Sequence, residues 1–266
     1  MQAVSLMYHD VVDASRYDAS GFSGAAADAY KIEAPLFREH LDAIAASAAP
    51  PAGILEAARA WTGARLFLTF DDGGESAHSR VAELLEARGW RGHFFITTDR
   101  IGAPGFLGAA QIRELRRRGH VIGSHSRSHP MRISHLPAGR LREEWSGSVR
   151  RLADLLGEPV RTASVPGGFY APVVAATAAE SGIEILFTSQ PTSRPASVAG
   201  CLVLGRYALL RGMPAARARA FAESRRLACW HQAVRWHSRQ MLKSLGGFYV
   251  LQWLAAARTG RAPSGA

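Results

Sequence analysis

Three observations predict an α/β fold in which strands and helices alternate, as a barrel or an open parallel sheet. Seven short apolar runs alternate with helix-patterned stretches, the layout of successive strand–helix–strand units. At 266 residues the chain is long enough to bury a sizeable single core. Residues able to do chemistry follow the apolar runs directly, and parallel α/β folds gather function at the carboxyl ends of their strands.

The first run, residues 3–8, ends at His9-Asp10. Residues 11–31 are rich in Gly, Ala, Ser and Asp without periodicity and read as a long loop, a candidate lid. Pro35 suits a first helical turn, and Leu36, Phe37, His40, Leu41 and Ile44 recur at helical spacing. A second strand, residues 66–70, stops at Asp71-Asp72-Gly73-Gly74. A helix over residues 76–88 follows, stopped by Gly89, then a strand over 92–97 and a helix over 111–118, stopped by Gly119. The fourth strand, 120–123, leads into Ser124-His125, and a long helix over 138–156 ends at Gly157. Residues 161–165 form a strand that runs into Pro166-Gly167-Gly168. A helix over 173–181 and strands over 183–187 and 201–204 complete the series. His93 and His120 stand where strands begin and read as structural.

The formal net charge of +10 and a pI near 10.5 favour anionic partners without choosing among them. No nucleic-acid module signature is present, and the basic residues sit among alanines on helix-patterned stretches, so nucleic acid is not expected. Two cysteines, Cys201 and Cys229, are too few for a disulfide framework. With nothing like a secretion signal at the start, the expected location is cytoplasmic, with association at the inner face of the cytoplasmic membrane as an option. Two units are expected: a catalytic domain over residues 1–210 and a basic, Trp-rich helical tail over 211–266. The apolar run 248–257 is too short to span a bilayer, which takes about 20 residues. Trp230, Trp236 and Trp253 among Arg and Lys suit either peripheral membrane contact or an amphipathic helix packed on the barrel.

Adjacent carboxylates at a dry strand end repel, so Asp71 and Asp72 either divide their roles at a cation or a proton transfer, or one of them caps the helix that follows. His125-Ser126-Arg127-Ser128-His129 sets two imidazoles four apart, and one helical turn at that spacing brings both to one side. With Asp72 they make two nitrogens and one carboxylate, a set suited to a divalent metal, zinc above all, with positions left open for water and substrate. Asp71 is then the candidate base.

Thr69-Phe70-Asp71-Asp72-Gly73 and His125-Ser126-Arg127-Ser128-His129 resemble the first two motifs of the polysaccharide deacetylase family, the NodB-homology or family 4 carbohydrate esterases. The resemblance covers roughly residues 3–207. It implies a distorted (β/α)7 barrel that removes N-acetyl groups from amino sugars, with Asp71 as base and Asp72, His125 and His129 as metal ligands. At the third motif the family has an arginine, any residue, proline and an aromatic, whereas this chain has Ser164-Val165-Pro166-Gly167-Gly168-Phe169-Tyr170, without the arginine that would orient the base. The Gly167 N–H is a candidate oxyanion donor, and Phe169 and Tyr170 are candidate walls of the sugar site. No fourth motif is recognisable around residues 184–190. The strand expected to deliver the acid histidine, 201–207, has none, but Leu6-Met7-Tyr8-His9 does. That order resembles family members acting on poly-N-acetylglucosamine, with the histidine strand permuted to the front, and it implies His9 as the general acid. Two other readings stay open: deacetylation or deformylation of a lipid-linked sugar at the membrane, and a non-catalytic sugar-binding module.

Overall fold

Strand residues at every second position divide between two cores, and that alternation builds the molecule. A computed structural model describes residues 2–47, 50–57 and 63–244. In chain order the elements are β1 (Gln2–Tyr8), β2 (Val11–Val12), α1 (Ala25–Asp28), β3 (Ile32–Glu33), α2 (Ala34–Ala45), α3 (Ile54–Ala57) and β4 (Ala64–Phe70). A π-helical turn (Ala77–Val81) then leads into α4 (Ala82–Glu86), followed by β5 (His93–Ile96), α5 (Ala109–Arg117), β6 (Val121–Ser124) and α6 (Ala138–Leu156). The last third holds β7 (Thr162–Ser164), α7 (Pro172–Glu180), β8 (Ile185–Phe187), β9 (Ala196–Val198), β10 (Cys201–Leu204), β11 (Tyr207–Ala208), α8 (Ala215–Ala222) and α9 (Arg226–Ser244).

The main sheet runs β11-β1-β4-β5-β6-β7-β8-β10-β9, parallel throughout except for β9. Only Gly205 and Arg206 separate β10 from β11, so the two act as one bent seventh strand whose far half pairs with β1. The sheet thereby curls into the distorted (β/α)7 barrel, with the first and last strands meeting at a seam. Gly205 is required there, because a Cβ would stand 2.3 Å from the Gln190 carbonyl oxygen and 2.6 Å from that of Thr192.

Val4, Leu6, Tyr8, Leu66, Leu68, Phe70, Phe94 and Ile122 face outward beneath the helices, while Ala3, Phe67, Phe95, Val121, Ile185, Phe187 and Leu204 fill the barrel. Each buried aromatic ring contributes about 2–3 kcal/mol of apolar transfer. Ile54 of α3 enters the interior cluster, and its backbone N–H donates to His93 Nε2 at 2.9 Å. His93 and His120 are buried structural groups; the latter accepts from the Gly92 N–H at 3.0 Å and reaches Glu86 at 2.8 Å. Most of the expected elements form close to their expected bounds, and Gly157 ends α6 in the left-handed conformation.

Residues 11–31 form a built wall rather than a free flap. Lys31, 1 % exposed, donates to the Tyr17 and Phe22 carbonyls, and Asp10 accepts from Ser20 (2.5 Å) and Ser76 (2.7 Å). At the other end α8 packs on α2 and β1, with Ala218 and Phe221 in the main core. The apolar run 248–257, including Trp253, lies outside the described residues. No helix among those described is long and apolar enough to cross a membrane.

Candidate active site

Continuing the inward rows past the strand ends builds the site. Ala3, Ser5 and Met7 lead to His9, Phe67 and Thr69 to Asp71, Val121 and Gly123 to His125, and Thr162 to Ser164, all at the carboxyl face. Asp72 and His129 come from the turns beyond, and both backbones are left-handed (φ 74° and 62°), a conformation that costs a non-glycine residue of order 1–3 kcal/mol. Ser126 is left-handed as well (φ 62°), so His125 and His129 meet through a turn and not through the expected helical turn. Glu144 of α6 fixes that turn: its carboxylate accepts from the Arg127 and Ser128 N–H groups (3.0 and 2.8 Å) and from the Ser128 hydroxyl (2.6 Å).

The Nε2 atoms of His125 and His129 stand 3.3 and 3.5 Å from Asp72 Oδ1, a buried oxygen with no hydrogen-bond partner among the described residues. His125 Nδ1 lies 3.1 Å from the Ser164 carbonyl, an acceptor only, so Nδ1 carries the proton and Nε2 offers a lone pair to the centre. A carboxylate oxygen and imidazole nitrogens within 4.8 Å of one another are what a divalent cation requires, and the residues fit such an ion. Burial raises the Asp72 carboxyl, but the imidazoles of His9, His129 and His125 outweigh it and hold the group well below the usual carboxylate range. Burial pushes His129 down to about 4, so its ring is neutral near pH 7, as a ligand must be.

Asp71 points the other way. Arg206 grips it with two parallel bonds, Nη1 to Oδ1 at 2.7 Å and Nη2 to Oδ2 at 2.8 Å, while the Ser164 hydroxyl donates to Oδ1 at 3.0 Å. Arg206 is in turn fixed by Nε donating to the Thr188 carbonyl (3.0 Å). Burial alone would raise Asp71, but the Arg206 charge, then His125, carry it below its ordinary value. Ser164 stands where the third motif has its arginine, and a guanidinium from the seam strand makes the contact instead. The sequence reading missed Arg206. The signal was its parity, since it follows inward-facing Leu204 by two residues.

His9 follows Tyr8 on β1, the strand paired with β4, and lies near enough for its imidazole to act on both carboxyls. Its ring packs on Tyr30 at 4.5 Å, and the Phe22 ring packs on His129 at 4.8 Å, so the wall of residues 11–31 seats both histidines. Gly167 is left-handed (φ 66°) in a tight turn against the Met131 carbonyl, where a Cβ would come within 2.3 Å. Phe169 is buried between His135 and Arg132, and Tyr170 packs against the cluster beneath α6 and α7. The structure therefore gathers Asp71, Asp72, His9, His125 and His129, whereas the contacts of Phe169 and Tyr170 are with His135, Arg132 and the cluster beneath α6 and α7.

The family model for polysaccharide deacetylase matches residues 60–186, a span holding both acidic residues, the histidine pair and Ser164. Over residues 60–186, just under half of the chain, the sequence is similar to that family. Solved structures of this family's fold superpose over most of the chain. IcaB from Ammonifex degensii is 22% identical, with a TM-score of 0.67 over 87% of this chain and 97% of its own. The deacetylase PplD from Streptococcus pyogenes, solved with acetate, is 18% identical, with a TM-score of 0.65 over 81% and 96%. A polysaccharide deacetylase from Bacillus cereus is 16% identical, with a TM-score of 0.69 over 84% and 69%. At these identities the likeness establishes the NodB barrel. No curated protein matches the chain.

Proposed function

We propose that this chain is a metal-dependent hydrolase removing N-acetyl groups from an amino sugar in a polysaccharide, oligosaccharide or glycolipid precursor. One observation carries the reading: two adjacent carboxylates are sorted by their partners, Asp72 toward His125 and His129, Asp71 into the Arg206 fork. A divalent cation held by Asp72, His125 and His129, zinc by the chemistry of that donor set, supplies Lewis acidity and a lowered pKa for water. Asp71, kept ionised and aimed by Arg206 and Ser164, takes the proton of the attacking water. His9 protonates the departing nitrogen from the end of β1. The Gly167 N–H is the candidate donor to the developing oxyanion, and Phe169 with Tyr170 shapes the adjoining rim. Cys201 and Cys229 are free thiols, which supports a reducing compartment, the cytoplasm. Two reactive thiols per chain, after isolation without reductant and denaturation, is the expected titre; a disulfide counts against that location.

The test pairs metal analysis with acetate release from an N-acetylated chitooligosaccharide. His9→Ala should keep the metal and lose about 10²- to 10⁴-fold in rate, whereas His125→Ala should lose the metal. A full metal complement in His125→Ala, or an unchanged rate in His9→Ala, removes that residue from its role.

A further inference from the structure

Six large hydrophobic side chains stand 43–67 % exposed among the described residues: Met131, Val173, Leu227, Trp230, Val234 and Met241. They gather on one rim. Four belong to α9, where positions 227, 230, 234 and 241 fall within an arc of roughly 60° at 3.6 residues per turn. The opposite side of α9 faces the carboxyl end of the barrel. Gln232 bonds both the N–H and the carbonyl of Ala208 (3.1 and 2.8 Å), and Gln240 Nε2 donates to the Gly168 carbonyl at 3.1 Å. The helix thus reaches from β11, beside the His9 strand, to the glycine turn after β7. The last two apolar residues adjoin that turn: the Met131 carbonyl lies against Gly167, and Val173 stands in the first turn of α7.

The charge along α9 has one sign. From Arg226 to Ser244 the chain has four Lys and Arg residues and no Asp or Glu, and Arg226 and Arg235, both exposed, flank the apolar stripe. An apolar patch on a monomer surface marks a contact site. A second copy would bring like charge against like across a two-fold contact, which disfavours self-association. Leu and Trp on one stripe with arginines alongside is the composition of a helix that lies in a headgroup layer and draws anionic lipid.

We propose that the outer face of α9, with Met131 and Val173, is a docking surface for an anionic lipid bilayer. Seated there, the protein turns the carboxyl end of its barrel toward the headgroups, and an N-acylated sugar carried on a lipid meets Asp71 and His9 without leaving the surface. The docking claim stands on the surface alone and is read out apart from catalysis.

Co-sedimentation of the full chain with phosphatidylcholine–phosphatidylglycerol vesicles, compared with phosphatidylcholine alone, tests it. Wild type should prefer the anionic vesicles, and added salt should weaken binding. Leu227→Glu/Trp230→Glu should lower partitioning at least about tenfold while turnover of a soluble acetylated oligosaccharide is unchanged. Arg226→Glu/Arg235→Glu, which leaves the apolar stripe intact, should abolish the preference for anionic vesicles. Equal binding to both vesicle types, undiminished partitioning of both variants, or a wild-type dimer that the Leu227/Trp230 changes dissolve would each overturn the proposal.

Discussion

Replacing Arg206 by methionine keeps much of the side chain's bulk and removes its fork. Both partners are almost wholly buried, 1 % and 2 % exposed, so the Asp71 carboxylate is left in the barrel with only the Ser164 hydroxyl. Breaking a buried pair from one side costs about 3–5 kcal/mol, because the stranded charge has lost its solvation and gained nothing. That is a large part of the 5–15 kcal/mol typical of a domain, so urea unfolding reads it directly. Catalysis should suffer as well, since base action depends on aim, and a fall in kcat/KM of about 10²- to 10⁴-fold is expected with the metal retained. Arg206→Lys should fall between, as an ammonium reaches one oxygen and cannot form the parallel pair. An Arg206→Met protein with full turnover and stability within about 0.5 kcal/mol of wild type would refute the reasoning.

Other substitutions probe the supports of the site. Glu144→Gln replaces an acceptor of three hydrogen bonds by a neutral amide, and metal affinity should drop about 10- to 100-fold in a zinc competition titration as the His129 turn loosens. Unchanged affinity would show that the turn holds itself. Gly205→Ala should destabilise by about 1–3 kcal/mol in urea unfolding, since its methyl has no room between the Gln190 and Thr192 carbonyls; a neutral result would mean the seam relaxes freely. Burial pushes His93 down to about 4 from its ordinary 6.5, and both ring nitrogens are used, Nδ1–H toward the Leu68 carbonyl and Nε2 accepting from Ile54. Below about pH 6.5 the unfolded chain binds a proton that the folded one refuses, so this residue makes stability rise with pH from about 4 to 6.5, by about 3 kcal/mol in all. His93→Gln should flatten that stretch of the stability–pH curve, and equal slopes in the two proteins would count against it.

Much of this was legible in the sequence because the strands obey a period of two. Phe67, Thr69 and Asp71 share a row, as do Met7 and His9, and so a strand correctly placed also placed its terminal side chain. Turns obey no such period. The left-handed backbones of Ser126 and His129 sit in a turn held by hydrogen bonds to Ser124, Ser126 and Glu144, which no spacing rule announces. Arg206 meets Asp71 across 135 positions of chain, a contact that exists only once the ring has closed. Local pattern covers neither case. Residues 11–31 look unstructured because their order comes from a few buried polar anchors, Lys31 and Asp10, rather than from apolar repetition.

The seam has a consequence for when the candidate site becomes complete. The proposed proton donor, His9, follows the first strand, and the cation that grips the proposed base, Arg206, lies at the seam strand. A chain that stops short of β11 holds Asp72, His125, His129 and the Asp71 carboxylate, but that carboxylate lacks the Arg206 fork and β1 is paired on its β4 side alone. The full set of groups in the proposed mechanism is thus assembled only with ring closure, as a clasp between the first and last strands of the barrel.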